Sequence, residues 1–153
     1  MRLLLTVLAV SFVSALLPVV NAEAFLAWVA GLDGVPLVLC AAVASVGQVT
    51  GKLLWYYAGM HTVDIGWVQR RLARHHREET LDKWRAQTRG RPVATGALVF
   101  SAAFVGLPPY LAVAAVAGLL GVGVRLFVVT GLIGRFLRFW LVLELAAWSW
   151  LLF

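Results

Sequence analysis

The alternation of apolar and polar positions divides the chain into four long apolar stretches and one polar one. Apolar residues dominate 1-33, 35-60, 93-121 and 122-153, whereas 61-92 is polar and charged. Val35 to Met60 is the clearest uninterrupted run, roughly 25 residues and so long enough to cross a bilayer as one tilted helix. The stretches 1-33 and 93-121 differ because each contains a breaker. In SAAFVGLPPYLAVAAVAG, two apolar runs meet at Gly106-Leu107-Pro108-Pro109, where a continuous helix cannot be kept. Each run falls short of the roughly 20 residues that a spanning helix needs. The N-terminal stretch has the same layout, two short arms joined across Leu17-Pro18-Val19-Val20-Asn21-Ala22-Glu23. Non-helical backbone at membrane depth leaves amides and carbonyls that other protein groups or a watered cavity must satisfy, so such breaks predict a binding or transport site. A proline-kinked helix with no site is the alternative reading. The expected fold class is all-α, a polytopic integral membrane protein forming one domain over 1-153.

Composition sharpens this picture. The chain is 62% hydrophobic and 13% charged, with a mean hydropathy of +0.90, values outside the range of soluble globular domains. The net charge of +6 is not spread evenly. Eight of the thirteen basic residues (Arg70, Arg71, Arg74, Arg77, Lys83, Arg85, Arg89, Arg91) lie in 61-92. Clustering of that kind marks a cytoplasmic loop rather than a nucleic-acid surface. Pairs at i, i+4 spacing, Arg74 with Glu78 and Glu79 with Lys83, predict a short surface helix, held on the membrane through Trp67, Val68 and Leu72. His75 and His76 are adjacent and point to different faces of such a helix, which is poor metal-ligand spacing. The single cysteine, Cys40, excludes an internal disulfide and is expected to pack as a small hydrophobe.

The N-terminus admits a second reading, since small residues at Val20-Asn21-Ala22 form a cleavage-like site before Glu23. The apolar character resumes at once as AFLAWVAGL, which favours a retained segment. In 35-60, Gly47 and Gly51 form a G-x-x-x-G pair, a spacing that lets another helix approach closely. Trp55, Tyr56 and Tyr57 follow as an aromatic cluster suited to the membrane interface. In 122-153, Arg125, Arg135 and Arg138 interrupt the apolar pattern, and Arg135 and Arg138 share a helix face. They either snorkel to headgroups or face a polar cavity and bind anions. Glu144 lies deeper in the same segment and needs a partner or water there. Trp148 and Trp150 read as an interfacial belt. No H-E-x-x-H, nucleophile elbow or phosphate loop occurs, and Ser101 and Thr130 lack a nearby base, so neither an enzyme nor a cofactor or metal is expected.

Several motifs, in order, resemble the DedA family, also called VTT-domain or SNARE-associated Golgi proteins. LLPVVNAEAFL resembles that family's first re-entrant motif, in which prolines precede an acidic residue. GQVTGKLLWYYAG is similar to its G-x-x-x-G, then Tyr, then Gly pattern; FVGLPPYLAVAAVAG resembles the second re-entrant motif, and GRFLRF the start of the last helix in small bacterial members. The resemblance implies two re-entrant hairpins facing each other, additional transmembrane helices, and movement of lipids between leaflets of the bacterial inner membrane. The implied cargo is undecaprenyl phosphate or a phospholipid, with ion or proton coupling suggested for the family. Residue by residue, Glu23 takes the place of the acidic residue, Gly47, Gly51, Tyr57 and Gly59 match the following span, and Pro18, Asn21, Gly106, Pro108, Pro109 and Tyr110 form the hairpin turns.

The departures from the family pattern bear on function. Lys52 stands where an acidic residue is usual, Met60 where an arginine commonly follows Gly59, and Tyr110 where transport-competent members carry an arginine. Lys52, Arg135 and Arg138 are the candidates to replace that cation. Glu23 is expected to act as a proton-titrating or ion-coupling group, to cap the second arm of the first hairpin, or both. The expected partners are membrane lipids, anionic or polyprenyl-phosphate, with homo-oligomerisation left open. A non-transporting scaffold that binds anionic lipids or proteins through its basic loop is the competing function.

Overall fold

The computed structural model describes residues 2-17, 21-32, 34-62, 86, 88, 90-106 and 110-152. Pro18, Pro108, Pro109, His75, His76 and nearly all of the expected surface helix lie outside the described residues. Among the described residues the chain is all-helical, with six helices: α1 (Arg2–Leu16), α2 (Ala22–Ala30), α3 (Leu37–Thr62), α4 (Pro92–Phe104), α5 (Tyr110–Leu119) and α6 (Val124–Leu152). Two are long and apolar enough to cross a membrane, α3 over Leu37–His61 with mean hydropathy 1.7 and α6 over Val124–Trp150 with mean hydropathy 1.8. The other four are short, and local chemistry sets where they begin and end.

Helix α2 starts at Asn21, whose side-chain Oδ1 accepts the N–H groups of Glu23 (3.0 Å) and Ala24 (3.3 Å). This cap satisfies two otherwise orphan amides, and Glu23 in the first turn adds a favourable charge. Pro92 opens α4 at a position where its missing N–H costs nothing. That helix ends as the chain turns into a left-handed conformation at Gly106 (φ 85). Helix α5 closes in a Schellman arrangement around Gly121 (φ 66), with Val122 N–H donating to Ala117 O and Gly121 N–H to Gly118 O.

Packing divides the molecule into two halves of the same design. In each half the first helix runs along the long one in the same direction, α1 on α3, where Gly47 meets Leu8 and Gly51 meets Ala15, and α4 on α6, where Gly96 meets Thr130 and Gly134 meets Phe104. Gly47 of α3 sits against Leu8, Ser11 and Phe12 of α1, and Gly134 of α6 against Phe100, Ala103 and Phe104 of α4. A Cβ at Gly47 would lie 2.7 Å from the Leu8 carbonyl oxygen and one at Gly134 3.0 Å from that of Phe100, so both contacts depend on glycine. The short second helices cross over, α2 packing on α6 and α5 on α3, while α3 and α6 also touch. The displacement in sequence that relates Gly47 to Gly134 also relates Leu26 to Val113, Cys40 to Phe127 and Leu143 to Tyr56. These residues are the centres of two separate cores. Leu26, Cys40 and Leu143 pack with Val7, Val29 and Phe139, and Val113, Phe127 and Tyr56 pack with Val99 and Ala114. Cys40 is fully buried in the first core as an apolar group.

Candidate functional site

The breaks between α1 and α2 and between α4 and α5 each end a helix whose last carbonyls lack intrahelical donors. In both halves a cation from a long helix supplies one. Lys52 of α3 donates from Nζ to Ala15 O at 2.6 Å, and Arg138 of α6 donates from Nη1 to Phe104 O at 2.8 Å. A positive charge at a helix C-terminus is favoured by the backbone dipoles as well as by the hydrogen bond. Gly106 makes room for the second contact, since a Cβ there would lie 3.0 Å from Arg138 Nη1.

The two caps lead into one cluster. Arg138 also donates from Nε to Glu23 Oε1 at 2.5 Å, an ion pair linking the start of α2 to the middle of α6. Glu23 thus receives two stabilising influences, from the α2 amides and from the guanidinium. Arg135, three residues earlier on the same face of α6, is buried at 9% exposure. Its guanidinium lies over the Tyr110 ring, 4.9 Å from the centroid, with the Phe139 ring at 5.8 Å. Arg135 is within electrostatic range of Arg138 and Glu23, and Lys52 is within range of Arg135. Arg135 makes no ion pair among the described residues, and its Nε has no hydrogen-bond partner. Tyr110 Oη is equally unpartnered. It is directed at Gly131, where any side chain would collide with the hydroxyl.

Arg135 and Arg138 therefore share a single carboxylate, Glu23, and Lys52 is within electrostatic range of Arg135. The site carries an excess of buried positive charge, which is expensive in a low-dielectric interior unless an anion neutralises it. Chemically it suits a phosphate or carboxylate, with Arg135 offering free guanidinium N–H groups in a fixed orientation. Beside it, between α1 and α3, lies an uncharged polar seam, with Gln48 Nε2 donating to Ser14 Oγ at 2.5 Å and Ser45 Oγ to Ala41 O at 2.6 Å.

The residues singled out from sequence separate into three groups. Glu23, Lys52, Arg135, Arg138, Asn21, Gly106 and Tyr110 all lie at or beside the two breaks. Gly47, Gly51 and Gly59 are helix contact points, the first two against α1, with Gly51 beside Ala15 at the first break, and the third against the Ala115 carbonyl of α5. Tyr57 lies on the exposed side of α3, edge-on to Tyr56. Its neighbour Tyr56 is the buried one, donating its hydroxyl to Val122 O and packing on Phe127. Glu144 accepts the Trp140 indole N–H at 3.0 Å, and Trp150 donates to Ala27 O at 3.3 Å.

Sequence reasoning missed Gly131 and Gly134, which permit close approaches beside the site, and Gly118, which lets α5 approach the backbone of α3 away from it. A signal for one of them existed, because Gly134 precedes Arg138 by the same four residues that separate Gly47 from Gly51. Comparison with protein-family models, curated proteins and solved structures finds no match for the chain.

Proposed function

We propose that this chain is a polytopic membrane protein of the DedA or VTT type, in which two re-entrant hairpins, α1–α2 and α4–α5, flank a site that moves a phosphate-bearing lipid between leaflets. The observation that carries this reading is Arg135. It is a buried guanidinium with no carboxylate of its own, held against Tyr110, the position where the family pattern has its arginine. The cation missing from α5 is supplied from α6. The exchange of short helices between halves supports the same reading, because each hairpin end faces the long helix of the opposite half, a layout suited to alternating exposure of a shared site. Glu23 bound to Arg138 is the coupling group. An incoming phosphate would compete with the Glu23 carboxylate for Arg138, and its departure would restore the ion pair.

The test is lipid translocation in proteoliposomes. Purified protein is expected to accelerate the inward loss of a fluorescent anionic phospholipid from the outer leaflet, and Arg135→Gln to reduce that rate by about tenfold or more, the order of effect of losing one charge-assisted contact. Wild-type protein that does not accelerate exchange would favour the scaffold reading, and an undiminished rate in Arg135→Gln would remove Arg135 from the mechanism.

A further inference from the structure

Helices α4 and α5 touch each other sparingly, because each packs chiefly on a long helix, α4 on α6 and α5 on α3. Between them lies a groove of about 490 Å³ at the end of the hairpin away from the break. Its walls are almost wholly apolar, formed by Leu98 and Val99 from α4, Val113 and Val116 from α5, and Leu120 just beyond it. The hydroxyl of Thr95 in the wall is turned back onto the Arg91 carbonyl. Among the described residues the one charged group lining the groove is Arg91, exposed where α4 begins. Arg91 forms no ion pair among the described residues. It is separated from Phe104 and the central cluster by most of the length of α4, about 20 Å at the helical rise.

We infer that this groove holds one acyl chain of an anionic phospholipid, with the phosphate resting on Arg91, as a second lipid site independent of the central cluster. The inference rests on the membrane reading above and deepens it. Its basis is complementarity along the groove: a slot with almost wholly apolar walls, ending at the exposed Arg91 at the start of α4. An acyl chain satisfies the slot, since bilayer lipid is the apolar solvent there, and a phosphodiester satisfies the guanidinium. A zwitterionic lipid fills the slot equally well but offers less net charge to Arg91. Ala112 and Val116 are both exposed on the α5 wall, so larger side chains there occupy the groove without entering the protein core.

The experiment is native mass spectrometry of the full-length protein released from nanodiscs of phosphatidylcholine doped with phosphatidylglycerol. One phosphatidylglycerol is expected to remain bound in preference to phosphatidylcholine. Arg91→Gln should lower its retention about fivefold, the worth of one arginine at an anionic lipid surface. Val116→Trp and Ala112→Phe should lower it comparably with Arg91 intact. Retention untouched by both α5 variants would mean that lipid sits on the basic surface alone, and would overturn the groove. Equal retention of the two lipids would overturn the headgroup contact, and protein dimers in place of lipid adducts would assign the groove to a second copy of the chain. Arg135→Gln is run alongside and is expected to keep the bound phosphatidylglycerol. Failure of the chain to enter nanodiscs would instead overturn the membrane reading itself.

Discussion

The two halves share a scaffold but differ in what they place at equivalent positions. Where α3 carries Gln48, α6 carries Arg135, and where α3 carries Gly51, α6 carries Arg138. On the short helices, Glu23 of α2 corresponds to Tyr110 of α5. In the first half the buried amide and ammonium groups are satisfied, Gln48 by Ser14 and Lys52 by the end of α1, and the buried polar atoms left without a partner, Ser11 Oγ and Trp55 Nε1, are neutral. In the second half they do not, since Arg135 has an aromatic face and no anion. The glycine contacts and the two cores preserve the architecture, while the charges break the symmetry. An arrangement that needed only to be stable would be expected to resemble the first half on both sides, because a buried cation without an ion pair is costly in any low-dielectric interior.

The largest expected effect tests the scaffold side of this comparison. Gly118 on α5 and Gly31 after α2 are equivalent positions with opposite tolerance. A Cβ at Gly118 would overlap the Tyr56 carbonyl, part of the backbone of α3, whereas one at Gly31 would meet only the Trp150 ring at 3.0 Å. Gly118→Ala should destabilise the protein by about 3 kcal/mol, and Gly31→Ala by less than about 1 kcal/mol. Denaturation of the purified variants in detergent measures both. Equal losses would show that the halves pack alike there and that the close approach of α5 to α3 is not special.

Next in size is the ion pair that joins the halves. Glu23→Gln leaves Arg135 and Arg138 without their carboxylate. With the two side chains of the pair 34% and 25% exposed, the loss should be about 2 kcal/mol, below that of a fully buried pair. Arg138→Met should cost a similar amount, because Phe104 O loses its donor as well. The double variant should then be less damaged than the sum, with a coupling of about 1 kcal/mol. Additive losses would mean that the two groups act separately.

Much of this fold can be read in the sequence, and the reasons are local. The two breaks coincide with Pro, Gly and Asn residues whose backbone constraints do not depend on the rest of the chain. The long apolar runs of α3 and α6 follow from composition alone. Arg135 and Arg138 could be paired on one face by spacing. What could not be read is which helix faces which. Crossing of α2 onto α6 and of α5 onto α3 depends on tertiary packing, and with it the meeting of Glu23 with Arg138 and of Tyr110 with Arg135. The correspondence between halves was hidden for a related reason. It resides in small residues and core volumes, Cys40 against Phe127 and Leu26 against Val113, rather than in repeated identities. Nor could the sequence say which of Tyr56 and Tyr57 turns inward, because a continuous apolar pattern gives little phase information about two adjacent aromatic residues.

Two smaller effects sharpen the contrast at the helix ends and on α3. Lys52→Met removes the cation that receives the end of α1 and should cost about 1 kcal/mol, the worth of one hydrogen bond with its dipole contribution. If the chain moves phospholipid as proposed, this variant should leave translocation less affected than Arg135→Gln does, because Lys52 already has a protein hydrogen-bond partner and the Arg135 Nε has none. A translocation defect as large as that of Arg135→Gln would move Lys52 from a cap to a ligand.

The smallest effect separates the adjacent tyrosines. Tyr56→Phe deletes a buried hydroxyl and leaves the Val122 carbonyl without that donor at the turn after α5, so a loss of about 1 kcal/mol is expected. Tyr57→Phe removes a hydroxyl from the exposed side of the same helix and should change stability by less than about 0.5 kcal/mol. The pair is informative because both substitutions are isosteric and one residue apart, so any difference reports burial and hydrogen bonding rather than size or helix propensity. If Tyr57→Phe were the more damaging, α3 would be rotated relative to α5, and the contacts of Gly59 with Ala115 and of Gly118 with Tyr56 that tie the second hairpin to the first half would have to be redrawn.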